Sequence, residues 1–307
     1  MRKFKLNVTS DFLVNSLCTI TIGTGVLEFT ANTFLNHYIK SYKEAFKNGN
    51  PIKLSESLKK RYDEVVKDIK LTEFQMAFVA PFVVDSLKPT NIGCINTRSG
   101  AYIGIPNYFE CNSVDELQSL DSEEIQQVNI NPEYSEQLMK TLTLSESAKK
   151  YAIAHELINT DNIRLYIQAV TPTLVLMPMY AVGHTVFSSL PANPSSIRAF
   201  AFFIFCNIGM WFYYIIRKNI NDYYQHDTDT VISEMGDEYI KGGLEYYDKL
   251  IQRNIILRNI LPNGDRIYSE KGDEIGFFAE LAFTYRKKHL ERNLKKLAEK
   301  NTEELPL

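Results

Sequence analysis

The sequence predicts an α+β protein, mainly helical, with a small β-sheet and a transmembrane helical hairpin that anchors it in a bilayer. Two apolar runs, residues 165–187 and 199–216, contain no Asp, Glu, Lys or Arg and lie close together in mid-chain. The flanks read as soluble protein, since 23% of the 307 residues are charged and 45% are apolar, enough to bury a core. In those flanks apolar residues recur mostly at helical spacing, and strand-like segments cluster at residues 74–105, with a hairpin signal at 261–276.

The hairpin is justified by length and by its edges. At ~1.5 Å per residue the shorter run makes a helix of roughly 27 Å, close to the ~30 Å hydrocarbon thickness of a bilayer. The connection, residues 188–198, holds Pro191, Pro194 and small polar residues, which suit a surface turn. Tyr166 at one end and Trp211, Tyr213 and Tyr214 at the other resemble an interfacial belt, and Arg217 and Lys218 form a charged stop. Pro172 and Pro178 would damage an interior soluble helix but are tolerated in a span. Thr171, Thr173, Gly183 and His184 are small or polar residues suited to helix–helix contact.

The chain then divides into four parts. Residues 1–36 are a basic and apolar segment: Arg2, Lys3 and Lys5 precede an apolar stretch at 12–27, which reads as a first span, a signal anchor or a cleaved presequence. Glu28 counts against a span, because a central carboxylate costs roughly 3 kcal/mol. Asn7-Val8-Thr9 matches a glycosylation sequon.

Residues 37–163 form a first soluble half. Leu58, Tyr62, Val65, Val66 and Ile69 define a helix over 54–70 with Ser55 as its cap. Strands are expected at 74–84, 91–96 and 101–105. Residues 110–136 read as a surface excursion with a short helix at 114–120, and Thr143 with Glu146 has capping-box spacing at the start of a helix running through Tyr151 and His155.

Residues 165–216 are the hairpin, and 217–307 form a second soluble half that packs with the first. Here the spacing predicts a helix over 230–257, with Gly242-Gly243 as a break or close-packing point. A β-hairpin is expected over 261–276, turning at Asn263-Gly264. A last helix over 277–300 has Arg286-Lys287-Lys288 and Lys295-Lys296 on a solvated basic face.

The net charge of −3 gives no argument for nucleic acid. Cys18, Cys94, Cys111 and Cys206 are scattered, which supports neither a zinc knuckle nor a disulfide framework.

One motif bears on chemistry. His155-Glu156-Leu157-Ile158-Asn159 has the form of the zinc-protease pattern His-Glu-x-x-His, in which two imidazoles on one helix face bind a metal and the Glu polarises a water. Asn159 replaces the second histidine, and an amide oxygen is a poor zinc ligand. The layout resembles membrane zincins of the prenyl-protein peptidase type, which implies a degenerate zincin-like scaffold around the hairpin. That family takes its third ligand from a Glu-x-x-Ala-Asp pattern, for which this chain offers Gln225-His226-Asp227-Thr228-Asp229, with Gln225 in place of the Glu. A metallopeptidase would therefore need an unconventional ligand set drawn from His155, Glu156 and His226 or Asp229. No catalytic, metal or cofactor-binding residue is assigned, and no cofactor is expected.

A second resemblance covers more of the chain. The blocks AYIGIP, LTLSESAKKYAIAHEL and GGLEYYDKLIQRNIILRNILPNGDRIYSEKGD, with the hairpin between the second and third, resemble the transmembrane protein 177 family over roughly residues 100–280; Gly242–Leu250 is the most specific part. The resemblance implies a multi-pass protein of the mitochondrial inner membrane that is not an enzyme. It implies a role in early cytochrome c oxidase assembly, with the newly made second subunit and its dedicated chaperone as partners beside membrane lipid. In that setting Arg164, Arg217 and Lys218, against Arg198 alone in the loop, favour soluble halves facing the matrix.

Overall fold

The computed structural model describes residues 10–118, 132–161, 163–188, 195–276 and 279–303. The chain separates into two units, one comprising residues up to Asn32 with Ile163–Asn221, the other Thr33–Asn162 with Asp222 onward. The sequon at residues 7–9 lies outside the described residues.

The first unit is helical. Helix α1 is Ser10–Asn32, α8 is Arg164–Ser188, and α9 is Ser195–Glu234, of which the part up to Asn221 belongs here. Helix α1 packs along α8. Gly25 allows the contact: a Cβ there would stand 2.1 Å from the Ala169 carbonyl oxygen, the close backbone approach that small residues permit between apolar helices. Gly183 of α8 sits against the Phe205 ring of α9, 3.2 Å from where its Cβ would be. The apolar side chains Leu174, Phe203 and Met210 are exposed. Thr171 is buried and donates to the Ile167 carbonyl at 2.6 Å, satisfying its hydroxyl within its own helix. The side chain of His184 lies outside the described residues.

Glu28 of α1 is bonded to the charge that the sequence marks as a stop. Arg217 donates to both its carboxylate oxygens, at 2.5 and 2.6 Å, and to the Tyr213 hydroxyl at 2.9 Å. The expected penalty for Glu28 is thus met by a forked ion pair. Among the described residues one helical stretch, Arg164–Gly183, is long and apolar enough to cross a membrane. The second apolar run is helical within α9, but Arg217 and Lys218 do not end that helix, which continues unbroken to Glu234.

The second unit is α+β. Helix α2 is Asn36–Lys43, followed by a two-residue ribbon of β1 (Phe46–Lys47) and β2 (Asn50–Pro51), then α3 (Glu56–Ile69) and α4 (Glu73–Ala77). Strands β3 (Val79–Val84), β4 (Thr90–Gly93) and β5 (Ala101–Pro106) form a sheet in the order β3-β5-β4, with β5 parallel to β3 and antiparallel to β4. Helices α5 (Val114–Gln118), α6 (Pro132–Leu142) and α7 (Glu146–Ile158) follow, and after the second part of α9 come α10 (Asp237–Ile260), α11 (Gly264–Ile267) and α12 (Phe283–Glu303).

Helix α7 organises the core. It packs on α10, α3 and β5, so Ala148, Tyr151, Ala152, Ile153, Ala154, His155 and Leu157 are all buried, as expected of a helix covered on most sides. Gly242 and Gly243 are the close-packing point, and α10 passes them without a break. A Cβ at Gly242 would stand 2.2 Å from the Ser147 carbonyl, and one at Gly243 would meet the Tyr151 and Leu290 side chains.

Several sequence expectations shift. Residues 73–77 are helical because Thr72 and Gln75 make a capping box, so the strand starts at Val79. Helix α7 is capped by Ser145, whose Oγ accepts from Ala148 N, two residues after the expected Thr143; Glu146 instead accepts a forked pair from Arg61 at 2.7 and 2.8 Å. The stretch after Glu110 is not all surface, since Cys111 and Leu117 are buried; residues 119–131 lie outside the described set. Asn263-Gly264 leads into the short helix α11 rather than a hairpin. The hairpin-like bridge joins Tyr268 and Glu274 around Gly272 at φ +81, a left-handed position suited to glycine. The last helix begins at Phe283, where Asp273 accepts from Thr284 N at 2.9 Å.

Candidate functional site

Helix α7 carries His155 and Glu156, and the second part of α9 carries Gln225, His226 and Asp229. The fold brings some of these together. His155 Nε2 lies 3.9 Å from Asp229 Oδ1, a separation a shared cation could bridge. That cation is Arg286, from α12. Its guanidinium forks onto Asp229, Nε to Oδ2 and Nη2 to Oδ1, both at 2.7 Å, and Nη2 also donates to His155 Nε2. Because a guanidinium only donates, Nε2 must accept, which places the imidazole proton on Nδ1. From there it is donated to Glu156 Oε1 at 2.9 Å. The second Glu156 oxygen accepts from Asn91 Nδ2, on β4, at 2.5 Å.

Two tyrosines complete the cluster. The Tyr151 hydroxyl donates to Asp229 Oδ1 at 2.6 Å and that of Tyr247 at 2.9 Å, while the guanidinium carbon lies 4.6 Å from the Tyr247 ring centroid, within cation–π range. Asp229 is fully buried and Arg286 is 3% exposed. Burial alone would raise the Asp229 carboxyl, but the charge and hydrogen bonds of Arg286 outweigh it and hold the group below the usual carboxylate range. Burial would likewise lower Arg286, and Asp229 reverses the direction. Burial first, and the nearby Asp229 charge next, push the Tyr151 phenol well up. The result is a buried ion pair in which both carboxylate oxygens accept hydrogen bonds and Arg286 donates from Nε and Nη2, the kind of pairing under which a buried charge is tolerated.

Chemically, this cluster braces α7, α9, α10 and α12 through one carboxylate. It does not present a metal donor set, because the facing atoms of His155 and Asp229 both accept from Arg286. Among the described residues no group of three or more His, Cys, Asp or Glu has the arrangement to hold a metal ion. Asn159 caps α7, its backbone N–H donating to the His155 carbonyl at 3.0 Å. Gln225 accepts from Leu281 N at 3.1 Å, fixing the chain that leads into α12. His226 is turned to a second site, its ring 4.2 Å from that of His289. The His289 side chain shares a hydrogen bond of 3.0 Å with Thr230 Oγ1; burial, then the neighbouring His226, lowers its pKa.

Arg286 is the residue that sequence reasoning missed. In the run Arg286-Lys287-Lys288 it reads as part of a solvated basic face, and Lys287 does reach outward to Asp248 at 2.6 Å. Yet Phe283, Arg286 and Leu290 recur at three- and four-residue spacing and are all buried, so helical periodicity places Arg286 on the inner face. A second buried cation, Lys149, escaped notice for the same reason. It donates to the Cys111 carbonyl at 2.9 Å and Asn112 Oδ1 at 2.6 Å.

A profile of the family described as Transmembrane protein 177 matches residues 82–303. The chain is similar to Transmembrane protein 177 of Danio rerio, 25% identical over 265 residues that cover 83% of this chain and 84% of that protein. It is 24% identical to that of Rattus norvegicus over 255 residues, covering 82% and 81%, and 20% identical to that of Xenopus laevis over 274 residues, covering 87% and 88%. No solved structure matches. The matched span contains α7, the Asp229 turn of α9, α10 and Arg286, and the chain belongs to the transmembrane protein 177 family.

Proposed function

We propose that this protein is a non-catalytic assembly factor of the mitochondrial inner membrane. In this reading it crosses the membrane more than once and holds newly made cytochrome c oxidase subunit 2 together with that subunit's chaperone during early assembly. Family membership supports the reading, through the role that the resemblance implies. The observation that carries its non-catalytic part is Arg286: its guanidinium saturates His155 and Asp229, the atoms a metallopeptidase would need for its metal. Glu156 is held at the same time by His155 and Asn91, a poor arrangement for activating water.

Native pull-down from mitochondria tests the partner reading. Recovery of oxidase subunit 2 and its chaperone with the tagged protein is the expected result; a pull-down that recovers neither overturns it. Complementation tests the chemistry. Glu156→Gln expressed at the normal level should restore a deletion fully, whereas loss of function at unchanged protein level would favour a peptidase.

A further inference from the structure

Helix α2 follows three residues after α1 in the sequence, and its inner face is fixed. Asn36 Nδ2 donates to the carbonyls of Ser99 and Gly100 at 2.9 and 3.2 Å. Ile39 packs on Phe82, Val84 and Ile92, and Ala45 N bonds the Val83 carbonyl at 2.9 Å just beyond the helix. A helix so anchored cannot roll to hide its other face. That face carries Tyr38 and Tyr42, one turn apart and 71% and 91% exposed, and Phe34, four residues before Tyr38 in the turn that leads into the helix, is 71% exposed.

Aromatic rings held in water at helical spacing call for an occupant. We infer that Phe34, Tyr38 and Tyr42 form an interfacial ladder by which α2 lies on the phospholipid surface, rings at the level of the headgroups. Two observations favour a bilayer over a protein groove. The ladder begins two residues after Asn32, the end of an apolar helix that packs along the candidate span. Two of its three rungs are tyrosines, whose apolar ring and polar tip suit the membrane–water boundary.

This inference rests on the membrane character of the family and not on the assembly role, so the two can fail separately. The chain has one tryptophan, Trp211, which permits a clean optical test in the full-length protein. In a Trp211→Phe background, Tyr42→Trp and, as a control, Lys241→Trp on α10 are reconstituted into phosphatidylcholine–phosphatidylglycerol vesicles with and without lipids brominated near the headgroup. The expected result is blue-shifted emission from the Tyr42→Trp protein, quenched several-fold by the brominated lipid, with little quenching in the control. Vesicle flotation reports membrane insertion separately. A protein that floats with vesicles yet gives water-like, unquenched emission at position 42 overturns the inference. A blue shift that appears only when mitochondrial proteins are added also overturns it, in favour of a protein partner. If the protein does not float at all, the membrane reading itself is wrong.

Discussion

The two units meet the same problem, a largely covered carboxylate, in opposite settings. In the helical unit, Leu174, Phe203 and Met210 face outward, and the pair between Glu28 and Arg217 is a single fork with one supporting hydroxyl. In the α+β unit a large apolar core is buried, and the charge on Asp229 is shared among Arg286, Tyr151, Tyr247 and, through the guanidinium, His155. The first pair joins two helices at one point. The second ties together four helices of a packed core, where an unmatched charge has nowhere to relax. Breaking the second should therefore cost far more than breaking the first.

The largest effect is expected at Arg286. Arg286→Ala leaves Asp229 buried without its counter-charge, and losses of about 3–5 kcal/mol are typical for that, a large share of the ~5–15 kcal/mol that holds a domain together. Arg286→Lys should recover only part, because an ammonium cannot reproduce the fork onto both carboxylate oxygens. Denaturant titration of the detergent-held protein measures both; equal stability of Arg286→Ala and wild type would break the comparison. Next comes Gly242→Ala, which drives a methyl into the Ser147 carbonyl; overpacking of this kind costs typically ~1–3 kcal/mol, read from the same titration.

A smaller and more local effect is expected from Glu28→Gln, because the Arg217 side chain is 38% exposed. It removes the charge but keeps an acceptor for Arg217, and ion pairs with an exposed partner contribute about 1 kcal/mol or less. Hydrogen exchange should quicken in α1 and leave α7 and α10 unchanged; quickening in α7 would contradict the separation of the two networks. The smallest effect concerns pH. His289 is held below its ordinary value, so the unfolded chain binds its proton first. Stability from this group is full above the ordinary imidazole pKa of ~6.5 and is lost as pH falls through the folded value. Melting curves from pH 8 to pH 5 should decline for the wild type, with a shallower slope in His289→Gln.

Much of the fold can be read from the order of the amino acids alone. Ser55 as a cap, the helical stripe of Leu58 to Ile69, the strand at 101–105 and the helical course of α7 all follow from local chemistry and period. The close packing at Gly242-Gly243 is legible as one of two alternatives. What escapes depends on partners distant in sequence. Nothing beside Glu28 announces Arg217, 189 residues away, and Arg286 is hidden inside a basic run whose neighbours are solvated. Asn263-Gly264 misleads because a turn dipeptide fixes local backbone freedom and not the element that follows, and here a short helix competes successfully with the hairpin. The His155-Glu156 pair is readable, but the guanidinium that lies between His155 and Asp229 is not, since residue 286 is 131 positions from His155.

Zinc content measured together with thermal stability tests the central claim most directly, namely that Arg286 is the cation between His155 and Asp229. The purified wild-type protein should contain well under one zinc per chain, and its melting temperature should be the same in EDTA as in added zinc. One zinc per chain, with a fall in melting temperature when EDTA removes it, would contradict the account.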